Sequence, residues 1–135
     1  MSSALLQKPL SIQEAKLKNP LALAFVGDTV WDLLARQRLL GGAARVNTLH
    51  RQAVAMVNAG AQAAACARIE AVLTQEEADV LRRGTNAHAR HSAPKNQDPA
   101  AYSRATGLEA LLGYLYLTGQ SERILQLFDI AVPIL

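Results

Sequence analysis

In "LALAFVGDTVWDLL", residues 21–34, and "ATGLEALLGYLYL", residues 105–117, apolar side chains fall on nearly every side of a helix. Each run keeps a carboxylate, Asp28 or Glu109, with no basic residue within one helical turn. Helices apolar all round are buried, so the chain must fold with these two at its centre. The acids then become the problem to solve, because an ionised carboxylate in an apolar interior costs several kcal/mol unless a cation compensates it.

On the first run Leu21, Ala24, Asp28, Trp31 or Asp32, and Ala35 share one helical face. On the second, Tyr102, Thr106, Glu109, Gly113 and Tyr116 do. Alanine beside Asp28 and glycine one turn beyond Glu109 allow two backbones to approach closely, which offsets the roughly 0.5–1 kcal/mol that a helical glycine costs. If these faces meet, the two acids meet. Alone together the carboxylates repel, and one takes up a proton. With Mg²⁺ between them both stay ionised, and the ion keeps water positions that phosphate oxygens can fill. Metal-assisted phosphodiester hydrolysis is the chemistry this pattern favours. A solvated rim position, or an ion pair with an arginine from elsewhere, is the other reading that each acid allows on its own.

Of the 135 residues 50% are apolar and 4% aromatic. Ala and Leu dominate over β-branched residues, so an all-α fold in one compact helical domain is expected. Ser11 with Glu14 forms a capping box for a short helix over "SIQEAKLK", and Asn19 and Pro20 precede a long, central helix from about Pro20 to Leu40 that Gly41 and Gly42 close. "VNTLHRQAVAMVNAG" reads as a third helix ending at Gly60 and "AQAAACARIEAVL" as a fourth. Thr74 and Glu77 cap a fifth, which runs up to Gly84. "GTNAHARHSAPKNQD" is then a long loop, and Asp98 with Pro99 opens the last long helix, through about Thr118, before "ERILQLFDIAVPIL".

The single cysteine, Cys66, allows no intramolecular disulfide and no cysteine-based zinc site, and reads as a small core residue. No secretory signal and no membrane-length apolar run is visible, so a cytoplasmic protein with no membrane partner is expected. The formal charge is +3, and the excess is local. Between Arg82 and Arg104 lie five basic side chains and two histidines against one acid, which points to an anionic partner.

"LAFVGDTVWDLL" and "ATGLEALLGYLYL" resemble the two signature helices of the ribonuclease III catalytic domain. "NPLALAFVGD", "RRGTNA", "APKNQD" and "TGLEALLGYLYL", in that order from about Asn19 to Gly119, are similar to its short subfamily, Mini-ribonuclease III. The resemblance implies an endoribonuclease acting on double-stranded RNA with Mg²⁺, Mn²⁺ being able to substitute. It also implies a homodimer in which each site cuts one strand to leave 5′-phosphate and 3′-hydroxyl ends, and a role in trimming the large-subunit (23S) ribosomal RNA precursor. Asp28 stands at the Asp of the "GD" motif and Glu109 at the Glu of the "EAL.G" motif, which makes both catalytic residues and metal ligands. Two further family carboxylates are replaced, by Ala24 and Thr106, as in the subfamily. Such a reduced ligand set binds metal weakly until substrate phosphates complete its shell.

The resemblance to the short subfamily implies no separate RNA-binding domain, so the catalytic domain is expected to grip RNA itself. Arg82, Arg83, Asn86, His88, Arg90, Lys95, Asn96 and Arg104 are the expected contacts, to a duplex recognised by shape, backbone and 2′-hydroxyls. Asp32, one turn beyond Asp28, reads either as an acid supporting the metal ligands or as a salt-bridged surface residue. Two other classes of function remain open on the residues alone: a non-catalytic RNA-binding module for ribosome assembly, which would bind RNA without needing Mg²⁺, and a helical interaction protein indifferent to RNA.

Overall fold

Local signals set most helix ends in the computed structural model, which describes residues 8–42, 45–87 and 98–133. The Ser11/Glu14 box caps α1 (Ile12–Lys16), and the Asn19 side chain accepts from the Leu21 amide to open α2 (Pro20–Leu40). α3 (Val46–Val57) and α4 (Ala59–Ile69) follow, then a 3-10 turn (Glu70–Val72), α5 (Gln75–Ala87), α6 (Pro99–Leu117) and α7 (Ser121–Ala131). Asp98 accepts from the Ala100 amide to start α6. These side-chain oxygens satisfy amides that the first turn of a helix leaves unpaired. The fold is all-α: the described residues contain no strand, and none of their helices is long and apolar enough to cross a membrane.

Three expectations from the sequence are corrected. The third helix ends at Val57, not Gly60, because Asn58 serves two helices. Its Nδ2 donates to the carbonyls of Val54 and Ala55, while its Oδ1 accepts from the Ala61 amide and starts α4. The fifth helix does not stop at Gly84 but runs on to Ala87. Gly84 is interior because it is pressed against α6, where a Cβ would stand 2.6 Å from that of Ala110. Finally, α6 and not α2 is the central helix. From Ala105 to Leu115 every α6 residue except Glu109 is buried, and α2, α4, α5 and α7 all pack on it. By contrast α2 leaves Phe25, Leu33 and Leu40 exposed.

The core runs from Ala15 of α1 to Ala131 of α7, with Leu108, Leu111, Leu112 and Leu115 of α6 at its middle and Cys66 buried among them as a free thiol. Trp31 closes one end, donating from Nε1 to the Met56 carbonyl at 2.8 Å and packing edge-on against Phe128 at 5.3 Å between centroids.

The tightest contact is the crossing of α2 and α6. A Cβ on Gly27 would run into the Glu109 carbonyl oxygen, and one on Gly113 into that of Leu23. The two glycines face each other across the crossing, Gly27 also lying against the Gly113 amide. Overpacking a core costs about 1–3 kcal/mol or more, while an unstrained Gly→Ala in a helix gains roughly 0.5–1 kcal/mol. Gly27→Ala and Gly113→Ala should therefore each lower unfolding free energy in urea by about 2 kcal/mol or more. The exposed Gly42→Ala should change it by less than about 0.5 kcal/mol. A Gly27→Ala variant as stable as Gly42→Ala would mean that the helices do not cross this closely.

Candidate active site

The crossing that requires glycine at position 27 also delivers the next side chain, Asp28, to Glu109. Glu109 is the one residue of the buried α6 run that faces outward, into a cleft of about 480 Å³ bounded by α2, α4 and α6. Asp28 stands on the opposite wall, with Leu21 and Ala24 beside it and Thr106 one turn before Glu109. The two carboxylates line one cleft, close enough for Asp28 to act on Glu109, as the facing of the two helical faces required. One premise changes. Asp28 is exposed at the cleft rim, because the buried side of α2 is the one carrying Leu23, Gly27, Trp31 and Leu34. The cost of desolvation therefore falls on Glu109 alone.

That cost sets its protonation. Burial, followed by the hydrogen bond with Asp28 and the charge of Asp28, pushes the Glu109 carboxyl up to about 8, and an amide opposes the shift. The amide belongs to Gln62 of α4, whose Nε2 donates to Glu109 Oε2 at 3.2 Å. Gln62 is buried, and no sequence signal had marked it: one amide in the Ala-rich run "AQAAACA" has no pattern. The Thr106 hydroxyl donates to the Tyr102 carbonyl at 3.0 Å, and Ala24 is apolar, so neither adds charge to the floor. Among the described residues no group of three or more His, Cys, Asp or Glu side chains comes together.

The expected RNA contacts divide. Arg82, Arg83 and Asn86 of α5 line a second hollow of about 530 Å³ with Lys18 and the start of α2. Lys18 is a cation that the sequence reading had not singled out. Leu21 borders both hollows. Arg82 is exposed, 3.7 Å from Asp79, and Arg83 donates to the Lys16 carbonyl at 3.0 Å. Arg104 lines neither hollow and pairs with Glu70. His88, Arg90, Lys95 and Asn96 lie outside the described residues. Asp32 pairs with Arg36 at 3.3 Å on the same helix, the salt-bridged surface role.

Residues 21–120, which hold both acids, Gln62 and the Arg82–Arg83 pair, match the family described as the ribonuclease III domain. The chain belongs to the ribonuclease III family. Its similarity is to the ribonuclease III proteins called Mini-ribonuclease 3. It is 50% identical over 113 residues to that of Symbiobacterium thermophilum, covering 83% of this chain and 86% of the relative. To that of Brevibacillus brevis it is 41% identical over 130 residues, covering 96% of each. A crystal structure of a protein from Fusobacterium nucleatum superposes with a TM-score of 0.78 at 30% identity, over 87% of this chain and 93% of that one. Ribonuclease III membership thus accounts for the all-α architecture.

The raised carboxyl has a consequence for metal-free stability. A group protonated when folded up to about pH 8 but ionised when unfolded from about pH 4.3 upward makes the folded state bind more protons between those values. Stability is then lost as pH rises through that window. In the presence of chelator, the native melting temperature should fall more steeply from pH 5 to 8 than that of Glu109→Gln, which keeps the shape without the ionisation. Parallel curves for the two proteins would show that Glu109 ionises normally.

Proposed function

We propose that this chain is a divalent-metal-dependent endoribonuclease that hydrolyses phosphodiester bonds in double-stranded RNA. The observation that carries the reading is that Asp28 and Glu109 line one open cleft of a ribonuclease III family member. The donor set fits a hard cation: two carboxylates share a space that burial and mutual repulsion make unfavourable for two negative charges. Asp28 and Glu109 would hold Mg²⁺, or Mn²⁺ in its place, and when bound such an ion supplies Lewis acidity to the phosphodiester and lowers the pKa of water.

The other roles fall to the chain itself. Glu109 would release its proton to solvent to serve as a ligand, and Asp28 would supply the second carboxylate. Lys18, Arg82, Arg83 and Asn86 meet the flanking phosphates in the hollow that adjoins the cleft at Leu21. Water adds to the phosphorus and the bond to the 3′-oxygen breaks, leaving 5′-phosphate and 3′-hydroxyl ends. We assign His88, Arg90, Lys95, Asn96 and Arg104 to the same RNA-binding surface, on their place in the basic segment.

The working unit in this reading is a single catalytic domain acting as a homodimer in the cytoplasm, on the large-subunit ribosomal RNA precursor. For the dimer the support is an unpartnered side of α2. Phe25, 81% exposed, lies at one end with Leu33 midway, and at the other end Leu39, Leu40, Val46 and Leu49 line an apolar groove of about 280 Å³. Two copies of α2 packed antiparallel about a two-fold axis would seat each Phe25 in the partner's groove. For the ribosomal substrate the support is likeness to the Mini-ribonuclease 3 proteins. A non-catalytic RNA-binding module is the second reading, and the small acid set favours it: two carboxylates with no third among the described residues.

A labelled, fully paired RNA duplex separates the readings. Native protein should cut it with Mg²⁺ and not with chelator, and Glu109→Gln and Asp28→Asn should each reduce cutting by at least about a hundredfold while remaining folded. Either variant turning over normally removes that acid from the site. RNA bound equally with and without Mg²⁺, and never cut, establishes the second reading. Lys18→Ala with Arg82→Ala should weaken duplex binding and lower the slope of log affinity against log salt by about 1–2, the loss of up to two phosphate contacts. An unchanged slope places the RNA elsewhere.

A further inference from the structure

Gln62 is 3% exposed, and its Ala-rich helix would bury an apolar side chain there at lower cost. Buried side-chain amides are usually satisfied by backbone groups or water. This one instead donates from Nε2 to Glu109 Oε2 at 3.2 Å, across from α4 to α6. A carboxylate on a flexible side chain turns about its last torsion unless a donor fixes one oxygen. Here the amide engages Oε2, and Asp28 meets the same carboxyl group from α2. The α4 end of the cleft, where Asn58, Ala59 and Gln62 stand, is thus tied to the acid pair through the Gln62 amide.

We propose that Gln62 is a positioning residue: its amide holds the Glu109 carboxylate in the orientation in which it and Asp28 take a divalent cation. The inference rests on the metal-dependent reading above. It assigns to a neutral donor the orienting task that hydrogen-bonded partners commonly perform for metal-ligating carboxylates. Because the donor carries no charge, it orients Glu109 without adding a third negative group to the cleft. Gln62 need not touch RNA or the ion to do so.

The test compares native protein with Gln62→Leu, which keeps helix preference and suits a buried position while removing the donor. Binding of Mn²⁺ to the RNA-free protein is read from the electron paramagnetic resonance signal of the free ion. The dissociation constant should rise about tenfold, as loss of a hydrogen bond to a charged group implies. With the labelled duplex, the Mg²⁺ concentration giving half-maximal cleavage should rise by a similar factor, while kcat at saturating Mg²⁺ falls by less than about threefold and duplex affinity in chelator is unchanged. Unchanged metal affinity in a folded variant overturns the proposal, as does a kcat loss that saturating Mg²⁺ does not restore. Native protein that binds no Mn²⁺ overturns it too. Native protein that binds Mn²⁺ but cuts no duplex defeats the nuclease reading instead, and the Mn²⁺ comparison still decides the role of Gln62. Should Gln62→Leu not fold, the side-chain amide resonance of Gln62 in native protein replaces it: a shift on Mg²⁺ addition is expected, and a resonance unmoved by saturating Mg²⁺ overturns the proposal.

Discussion

Everything in this structure hangs on how near the backbone of α2 comes to that of α6. With Gly27 against the Glu109 carbonyl and Gly113 against that of Leu23, the two helices touch through main chain, and the register is fixed to the residue. Side-chain packing alone would tolerate small slides, because apolar groups repack. Backbone contact does not. A shift of one residue would put Val26 or Asp28 where no Cβ fits. The geometry that buries the largest apolar run of the chain is therefore also what sets Asp28 beside Glu109, so fold and site cannot be adjusted independently.

The electrostatics follow from that register. Glu109 looks outward from a helix buried on its other sides, and Asp28, one position past the crossing glycine, is the first side chain it meets. Burial and Asp28 both favour the protonated form of Glu109, and Gln62 opposes them. Two carboxylates so placed are unfavourable as two bare charges and become favourable with one cation between them. In the metal-dependent reading proposed above, the site would couple cation uptake to proton release at Glu109, through groups that the core holds in place.

Where the sequence carried a physical signal, it was legible. Asn19 with Pro20 and Asp98 with Pro99 marked the starts of α2 and α6 because caps and prolines satisfy or omit the same orphan amides. The facing of Asp28 and Glu109 was legible because Ala24 and Gly113 implied close approach. What failed had weaker signals. Asn58 ends one helix and begins the next with one side chain, a double use that local pattern does not encode. Gly84 looked like a helix end because glycine usually is one, and only its contact with Ala110 explains it. α2 looked as central as α6 because composition records how apolar a helix is and not which of its sides is covered. Gln62 was invisible because its bond to Glu109 joins helices far apart in the sequence.

The uncovered side of α2 gives that last misreading its meaning. Phe25 is three residues before Asp28 on the same helix and 81% exposed, while the α6-facing side of α2 is saturated by the glycine crossing. A helix whose one side is committed to backbone contact and whose other side displays Phe25, Leu33 and Leu40 has its apolar character divided between one covered side and one side open to a second neighbour. One neighbour is α6. If a second copy of α2 is the other, each cleft lies about one helical turn from the dimer face, and two-fold symmetry brings two clefts onto a common surface. The same rigid helix would then fix both the contact of the acids within one subunit and the spacing of the sites between subunits, which is what cutting both strands of a stiff duplex demands.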